Sequence, residues 1–234
     1  MIRFDKDCKE VVAAVRCYAE SYCKKDKSEC SELCGGYRVL RALYRLSKIP
    51  VLYQYNIPLS PEDEDITAFE ELDDFKENIL ENVEAGKNLY IWGKHTGCGK
   101  TSWACKIMSF YFRRIAFTSG LENEGLYIYL PTFLEDLRNS YSGTQDEDFA
   151  EVLEMVKKCK LLIIDDIGAE KVTEWVRERL VSIINTRVSG GLSTIYTSNL
   201  SPEEFLKQFE DRIGSRVIGC SQIVKISGND RRGK

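Results

Sequence analysis

From residue 88 onward, short apolar runs alternate with stretches whose apolar positions recur every three or four residues. The runs fall at 89–92, 126–130, 161–164, 194–197 and 222–226. They are too short for helices and read as buried strands. Helical periodicity fills the gaps at about 100–113, 132–139, 147–158, 172–188 and 202–218. Strands separated by helices of that length need crossover connections, so the pattern predicts an α/β fold: a five-stranded parallel sheet covered by helices on both faces. Ligands of such sheets bind beyond the carboxyl ends of the strands.

Before residue 88 the pattern differs. Tyr37, Leu40, Leu43, Tyr44 and Ser47 mark a helix that Ile49-Pro50 stops, because the residue before a proline resists the helical region. Residues 50–66 hold Pro50, Pro58 and Pro61 and read as an extended linker. One helix is predicted from about 67 to 84, with Phe69, Leu72, Phe75, Ile79, Leu80 and Val83 on one face and Gly86 ending it. The chain thus divides into a small helical module (1–49), a linker (50–66) and the α/β domain (67–234).

Charge adds an asymmetry. The formal net charge of −4 argues against a protein coated in nucleic acid, but eleven acidic residues and one lysine fall between 62 and 84. The rest of the chain is therefore net basic, and the acidic run reads as a solvated helix face. No apolar stretch approaches the ~20 residues needed to cross a bilayer. With no signal-peptide pattern at the start, the expectation is a soluble cytoplasmic protein.

Nine cysteines are many for 234 residues, and five of them (Cys8, Cys17, Cys23, Cys30, Cys34) lie in the first 34. Without a secretory signal, thiolate–metal coordination suits this group better than disulfides. Cys17, Cys23, Cys30 and Cys34 can close a tetrahedral Zn²⁺ site, with Cys8 as the alternative to Cys17; free thiols packed on small helices are the other reading. Cys98, Cys105, Cys159 and Cys220 read as small buried or loop residues.

The candidate chemistry starts at Gly93-Lys-His-Thr-Gly-Cys-Gly-Lys-Thr101, a glycine-punctuated loop between an apolar run and a helix start. Gly97, Cys98, Gly99, Lys100, Thr101 and Ser102 are placed to wrap a nucleoside triphosphate: backbone N–H groups cradle phosphates, the lysine neutralises them and the threonine hydroxyl binds Mg²⁺. The spacing departs from G-x-x-x-x-G-K-[ST], because Gly93 stands six residues before Gly99 and Lys94 takes the first-glycine place. His95, the only histidine, is given no role, and Trp103 reads as helix packing.

Leu161-Leu-Ile-Ile-Asp-Asp-Ile-Gly-Ala-Glu170 ends a buried strand on two carboxylates, a costly placement unless a cation or donor answers them. Asp165 suits the Mg²⁺ shell and Asp166 the attacking water. Thr194-Ile-Tyr-Thr-Ser-Asn199 ends another strand on polar residues, and Asn199 can hold that water or touch the γ-phosphate. In Asp211-Arg-Ile-Gly-Ser-Arg216 two arginines stand four apart, either of them able to meet transition-state charge from a neighbouring subunit. Gly228-Asn-Asp-Arg-Arg232 adds a basic end.

Together these motifs resemble the AAA+ ATPases of the DnaC/DnaI type, bacterial and phage helicase loaders, and their IstB-type transposase-helper relatives. The resemblance spans roughly residues 65–234 and is most specific at Asp165-Asp-Ile-Gly-Ala-Glu170. It implies a three-layer AAA+ domain without a C-terminal lid, with Lys100 and Thr101 as Walker A and Asp165 and Asp166 as Walker B. It further implies Asn199 as sensor 1, Arg216 (or Arg212) as arginine finger and Arg232 as sensor 2. The function implied is ATP-dependent loading of a replicative ring helicase onto single-stranded DNA. A zinc-binding N-terminal module would grip the helicase, and ATP would sit between self-associated subunits. The alternatives are a transposition-helper ATPase and an adaptor that binds ATP as a structural switch.

Overall fold

The computed structural model describes residues 23, 33–54, 59–142, 147–169, 173–209, 212–228 and 230. Five strands, β1 (Asn88–Trp92), β2 (Gly125–Tyr129), β3 (Leu161–Asp165), β4 (Ser193–Ser198) and β5 (Ser221–Lys225), form one sheet. Their order is β2-β3-β4-β1-β5 and every pairing is parallel. All five strands predicted from the apolar runs are present, each within a residue or two of its expected bounds.

Nine α-helices accompany the strands among the described residues: α1 (Gly35–Leu46), α2 (Ile66–Glu77), α3 (Ile79–Glu84), α4 (Lys100–Ile115), α5 (Leu130–Ser142), α6 (Glu147–Lys158), α7 (Glu174–Ser189), α8 (Pro202–Gln208) and α9 (Arg212–Gly219). Successive strand residues point to opposite faces of the sheet, and the core divides accordingly. Leu89, Ile91, Tyr127, Leu161, Ile163, Ile195 and Val224 pack with α1–α4 on one face. Tyr90, Leu126, Ile128, Leu162, Ile164 and Tyr196 pack with α5–α9 on the other. The result is the three-layer sandwich that the alternation of runs and helices implied.

Two predicted helices are each split in two. The first breaks at Asn78, whose side-chain amide donates to the Asp74 carbonyl (3.0 Å) and carboxylate (3.1 Å). Asparagine competes in this way with the helical backbone. Asn82 reaches back across the break to the Phe75 carbonyl (3.0 Å), so Phe69, Leu72, Phe75, Ile79 and Val83 still share one buried surface. The second breaks after Phe209. Phe205, Phe209, Ile213 and Val217 recur every four residues, and each such step advances ~40° round a helix of 3.6 residues per turn. A straight helix would carry Val217 about 120° away from Phe205. The break resets the phase, and all four side chains are buried.

Along its described residues the expected linker is exposed for the most part, but it folds into short turns and is anchored at Gln54 and Asp65. Val51–Tyr53 and Asp63–Asp65 form 3₁₀ turns, Ile49 is buried, and the Gln54 amide donates to the Ile49 carbonyl (2.8 Å). Asp65 departs from the solvated acidic face expected of it. It is fully buried, and its carboxylate accepts the N–H groups of Ser227 (2.6 Å) and Gly228 (2.9 Å), which fixes the segment following β5. Helix α1 packs on α4, with Tyr44 meeting Phe112 edge-to-face at 5.7 Å, so residues 35–46 are built onto the α/β body.

Candidate nucleotide site

β1 delivers the chain to the phosphate loop, and α4 begins at Lys100, the position the motif requires for a dipole aimed at anions. Gly97 (φ 82°) and Gly99 (φ 107°) take left-handed conformations that a side chain would resist. A Cβ on Gly99 would meet nothing nearer than Leu59 at 3.8 Å, so the backbone there is open to a ligand.

The additional loop residue is absorbed outward. Lys94, His95 and Thr96 are exposed, and Lys94 forms an ion pair with Glu204 on α8. Glu204 also closes the capping box of that helix, accepting the Ser201 N–H (2.8 Å) while Ser201 Oγ accepts the Glu204 N–H (3.3 Å). Lys100 is held in the loop by its own backbone: its ammonium donates to the carbonyls of Gly93 and His95, both at 3.0 Å, and lies 3.5 Å from Cys98 Sγ. A triphosphate can replace those carbonyls as the partner of Lys100.

Asp165, at the carboxyl end of β3, is 5% exposed and carries three hydroxyl partners. Thr101 Oγ1 (2.9 Å) and Thr197 Oγ1 (2.6 Å) donate to its Oδ1, and the Tyr127 phenol donates to its Oδ2 (2.7 Å). Thr197 Oγ1 accepts the Asp166 N–H in turn (2.9 Å). Asp166 is a non-glycine residue at φ 62°, a conformation that costs energy and collects at functional sites. Burial, then the neighbouring Asp165 charge, push its carboxyl above the ordinary carboxylate range, with Lys100 pulling the other way. Asn199 Nδ2 donates to Asp166 Oδ1 (2.9 Å), whereas its buried Oδ1 has no partner among the described residues.

These observations fit a magnesium nucleotide. Thr101 and Asp165 supply hard oxygens on one spot, as Mg²⁺ requires; the loop offers N–H groups to phosphates; and Asn199 Oδ1 stands ready to accept from a water. For zinc the outcome differs. Among the described residues no group of three His, Cys, Asp or Glu could hold a metal ion, and Cys8, Cys17 and Cys30 lie outside them. Cys23 and Cys34 are half-buried thiols.

The remaining residues are placed unevenly. Cys98 is buried, and Ser102 lies half-buried in the first turn of α4. Arg216 sits on α9, its guanidinium donating to the Arg212 carbonyl (3.2 Å), and Arg212 is exposed; neither is brought to Asp165 or Asp166 within the chain. Arg232 lies outside the described residues. Trp103 is a packing residue, edge-on to Phe69 at 5.0 Å and 2% exposed. No sequence motif marks Tyr127 or gives Thr197 a role. Tyr127 stands on a mostly apolar strand, whereas Thr197 is one of four Ser and Thr residues on β4, so neither stands out locally.

A glycine loop after β1, paired carboxylates at the tip of β3 and an asparagine beyond β4, on one edge of a parallel sheet, define a P-loop nucleotide-binding domain of the AAA+ class. More specifically, the chain belongs to the family of IstB-like ATP-binding proteins, whose model matches residues 38–234. It is 31% identical over 180 residues to the replicative helicase loader DnaI of Bacillus subtilis (strain 168), an alignment covering 71% of this chain and 54% of that protein. It is 34% identical over 113 residues to an insertion sequence IS1162 ATP-binding protein of Pseudomonas fluorescens, covering 48% and 44%. The chain therefore spans about half the length of these curated relatives. The crystal structure of the DnaC helicase loader superposes with a TM-score of 0.59 at 22% identity, covering 72% of this chain and 93% of that one. For the crystal structure of DnaI the values are 0.58, 24%, 79% and 95%. At those identities the likeness is one of fold.

Proposed function

We propose that this chain is an ATPase that loads a replicative ring helicase onto single-stranded DNA at replication initiation, in the cytoplasm of a bacterial cell or phage-infected host. The observation that carries this reading is the 31% identity, over 71% of the chain, to a relative named as a replicative helicase loader. Local geometry supports the ATPase part, with Thr101 already bonded to Asp165. In this reading the backbone of Gly97, Cys98, Gly99 and Ser102 holds phosphates and Lys100 neutralises them. Thr101 and Asp165 hold the magnesium ion, which supplies positive charge against the phosphates. Asp166 takes a proton from the attacking water, and Asn199 orients that water.

Subunits would stand side by side with ATP between them, Arg216 of one completing the site of the next. Arg212 is the alternative finger, and Arg232 would act from the chain's end. Arg216→Ala is expected to lower DNA-stimulated turnover by on the order of 10³-fold, with nucleotide binding retained. Mixing that variant with one lacking Asp166 should restore part of the turnover, because a mixed pair contains one whole site. Undiminished turnover by Arg216→Ala would refute the assignment.

The N-terminal module would grip the helicase and hold about one zinc through Cys17, Cys23, Cys30 and Cys34, or with Cys8 in place of Cys17. The test is capture of a purified replicative ring helicase by the full chain and by a chain starting at residue 35, with zinc measured in both. The cut belongs before α1, because Leu40, Leu43 and Tyr44 are part of the core. Capture and zinc by the full chain alone are the expected result; equal capture by both refutes the grip of the N-terminal module, and none by either sinks the loader reading. The insertion-sequence relative supports a second reading, a transposition-helper ATPase, which would bind duplex DNA and recruit a transposase without engaging a helicase.

A further inference from the structure

Three hydroxyls hold the Asp165 carboxylate, and they come from separate parts of the fold. Thr101 and Thr197 converge on Oδ1 (2.9 and 2.6 Å). Oδ2 is held at 2.7 Å by the phenol of Tyr127, from the middle of the neighbouring strand β2. Tyr127 pairs in register with Ile163, two residues before Asp165 and on the same face of the sheet, so its long ring spans the gap that a shorter side chain would leave. That ring is 8% exposed and packed in the cluster beneath α4. A phenol is neutral at ordinary pH and donates one O–H, which here goes to Oδ2.

A carboxylate can turn about its Cβ–Cγ bond, and the terminal torsion of aspartate is broad. Its two oxygens are equivalent, so what the three bonds fix is the plane of the carboxylate, with one oxygen on Thr101 and Thr197 and the other on Tyr127. We propose that Tyr127 is a positioning residue that locks Asp165 in the magnesium-binding orientation by donating to Oδ2. Tyr127 touches neither nucleotide nor metal; it acts through Asp165, as the outer partners of metal-ligating carboxylates do. This inference rests on the magnesium–ATP reading of the site.

The test is equilibrium binding of a fluorescent, non-hydrolysable ATP analogue by the full chain, first in EDTA and then across a Mg²⁺ titration. Tyr127→Phe keeps the ring and removes the donor. It is expected to leave affinity in EDTA unchanged and to raise the Mg²⁺ concentration for half-maximal strengthening by roughly tenfold. Tyr111→Phe is the matched control: it also removes a buried phenol hydrogen bond to a carboxylate (Glu124, 3.0 Å), away from the loop, and should leave the Mg²⁺ midpoint where it was. Thermal melting of both variants reports any loss of fold, which would weaken binding with and without the metal alike. A Tyr127→Phe midpoint within twofold of the unmodified chain, or an equal shift in Tyr111→Phe, overturns the inference. Failure of the unmodified chain to bind the analogue at all overturns the ATP reading itself, and this inference with it.

Discussion

Asp166→Asn is expected to cut ATP turnover by roughly 10²–10⁴-fold while MgATP still binds. The carboxylate occupies a conformation (φ 62°) that asparagine also tolerates, so the backbone should not move. The Asn199 amide now at 2.9 Å can keep its bond to the new side-chain oxygen. What disappears is the capacity to take a proton, which burial and the Asp165 charge favour by raising the carboxyl above its ordinary range. Asp165→Asn should behave differently, because Thr101 and Thr197 both donate to an oxygen whose charge would be gone. That variant should lose the Mg²⁺-dependent part of nucleotide affinity as well as turnover. Single-turnover hydrolysis beside equilibrium nucleotide binding separates the two. If Asp166→Asn turns over ATP within tenfold of the unmodified chain, Asp166 is not the base.

Removing the Arg187 guanidinium is expected to be the most destabilising single change away from the site. This α7 residue is fully buried, yet its partners are neutral rather than acidic. Nη1 donates to the carbonyls of Val156 and Cys159 (both 2.9 Å), Nη2 to that of Ser193 (2.6 Å), and Nε to the Thr194 hydroxyl (2.9 Å). Burial lowers its pKa, but an arginine starts so far above neutrality that it remains charged. One side chain thus ties the end of α6 to the start of β4. Arg187→Met keeps much of the volume and removes the charged donor from three buried carbonyls, each lost bond costing about 1–3 kcal/mol if water cannot replace it. A total of about 3 kcal/mol or more is expected, lowering Tm by roughly 6–12 °C for a domain of this size. Urea and thermal unfolding measure it directly. A loss under about 1 kcal/mol would mean that water or a shifted backbone satisfies those carbonyls.

Where the sequence spoke clearly, the signal was local. Alternating apolar runs and helical periods located every strand among the described residues, because a buried strand and an amphipathic helix each write their burial into neighbouring residues. The order glycine loop, apolar strand, paired carboxylates was equally plain. Less plain were the breaks at Asn78 and after Phe209, since period alone does not say when a helix must be re-phased to keep its side chains on one core. The anchoring of residues 50–66 is hidden for a related reason. Three prolines and a run of acids look like a solvated spacer, and nothing nearby announces that Asp65 will accept the N–H groups of residues 227 and 228. The longer phosphate loop could be counted from the sequence, but its solution could not, because Lys94 turns outward to a glutamate 110 residues away.

By itself, then, the sequence determined the three-layer parallel fold and singled out Lys100, Thr101, Asp165, Asp166 and Asn199 as the candidate nucleotide set. Tertiary structure alone decided what orients them. Thr101, Tyr127 and Thr197 meet on Asp165 because β2, β3 and β4 pair in one register and all three strand residues face α4. Strand parity can be read along a chain, whereas register between strands is set by packing across the whole sheet.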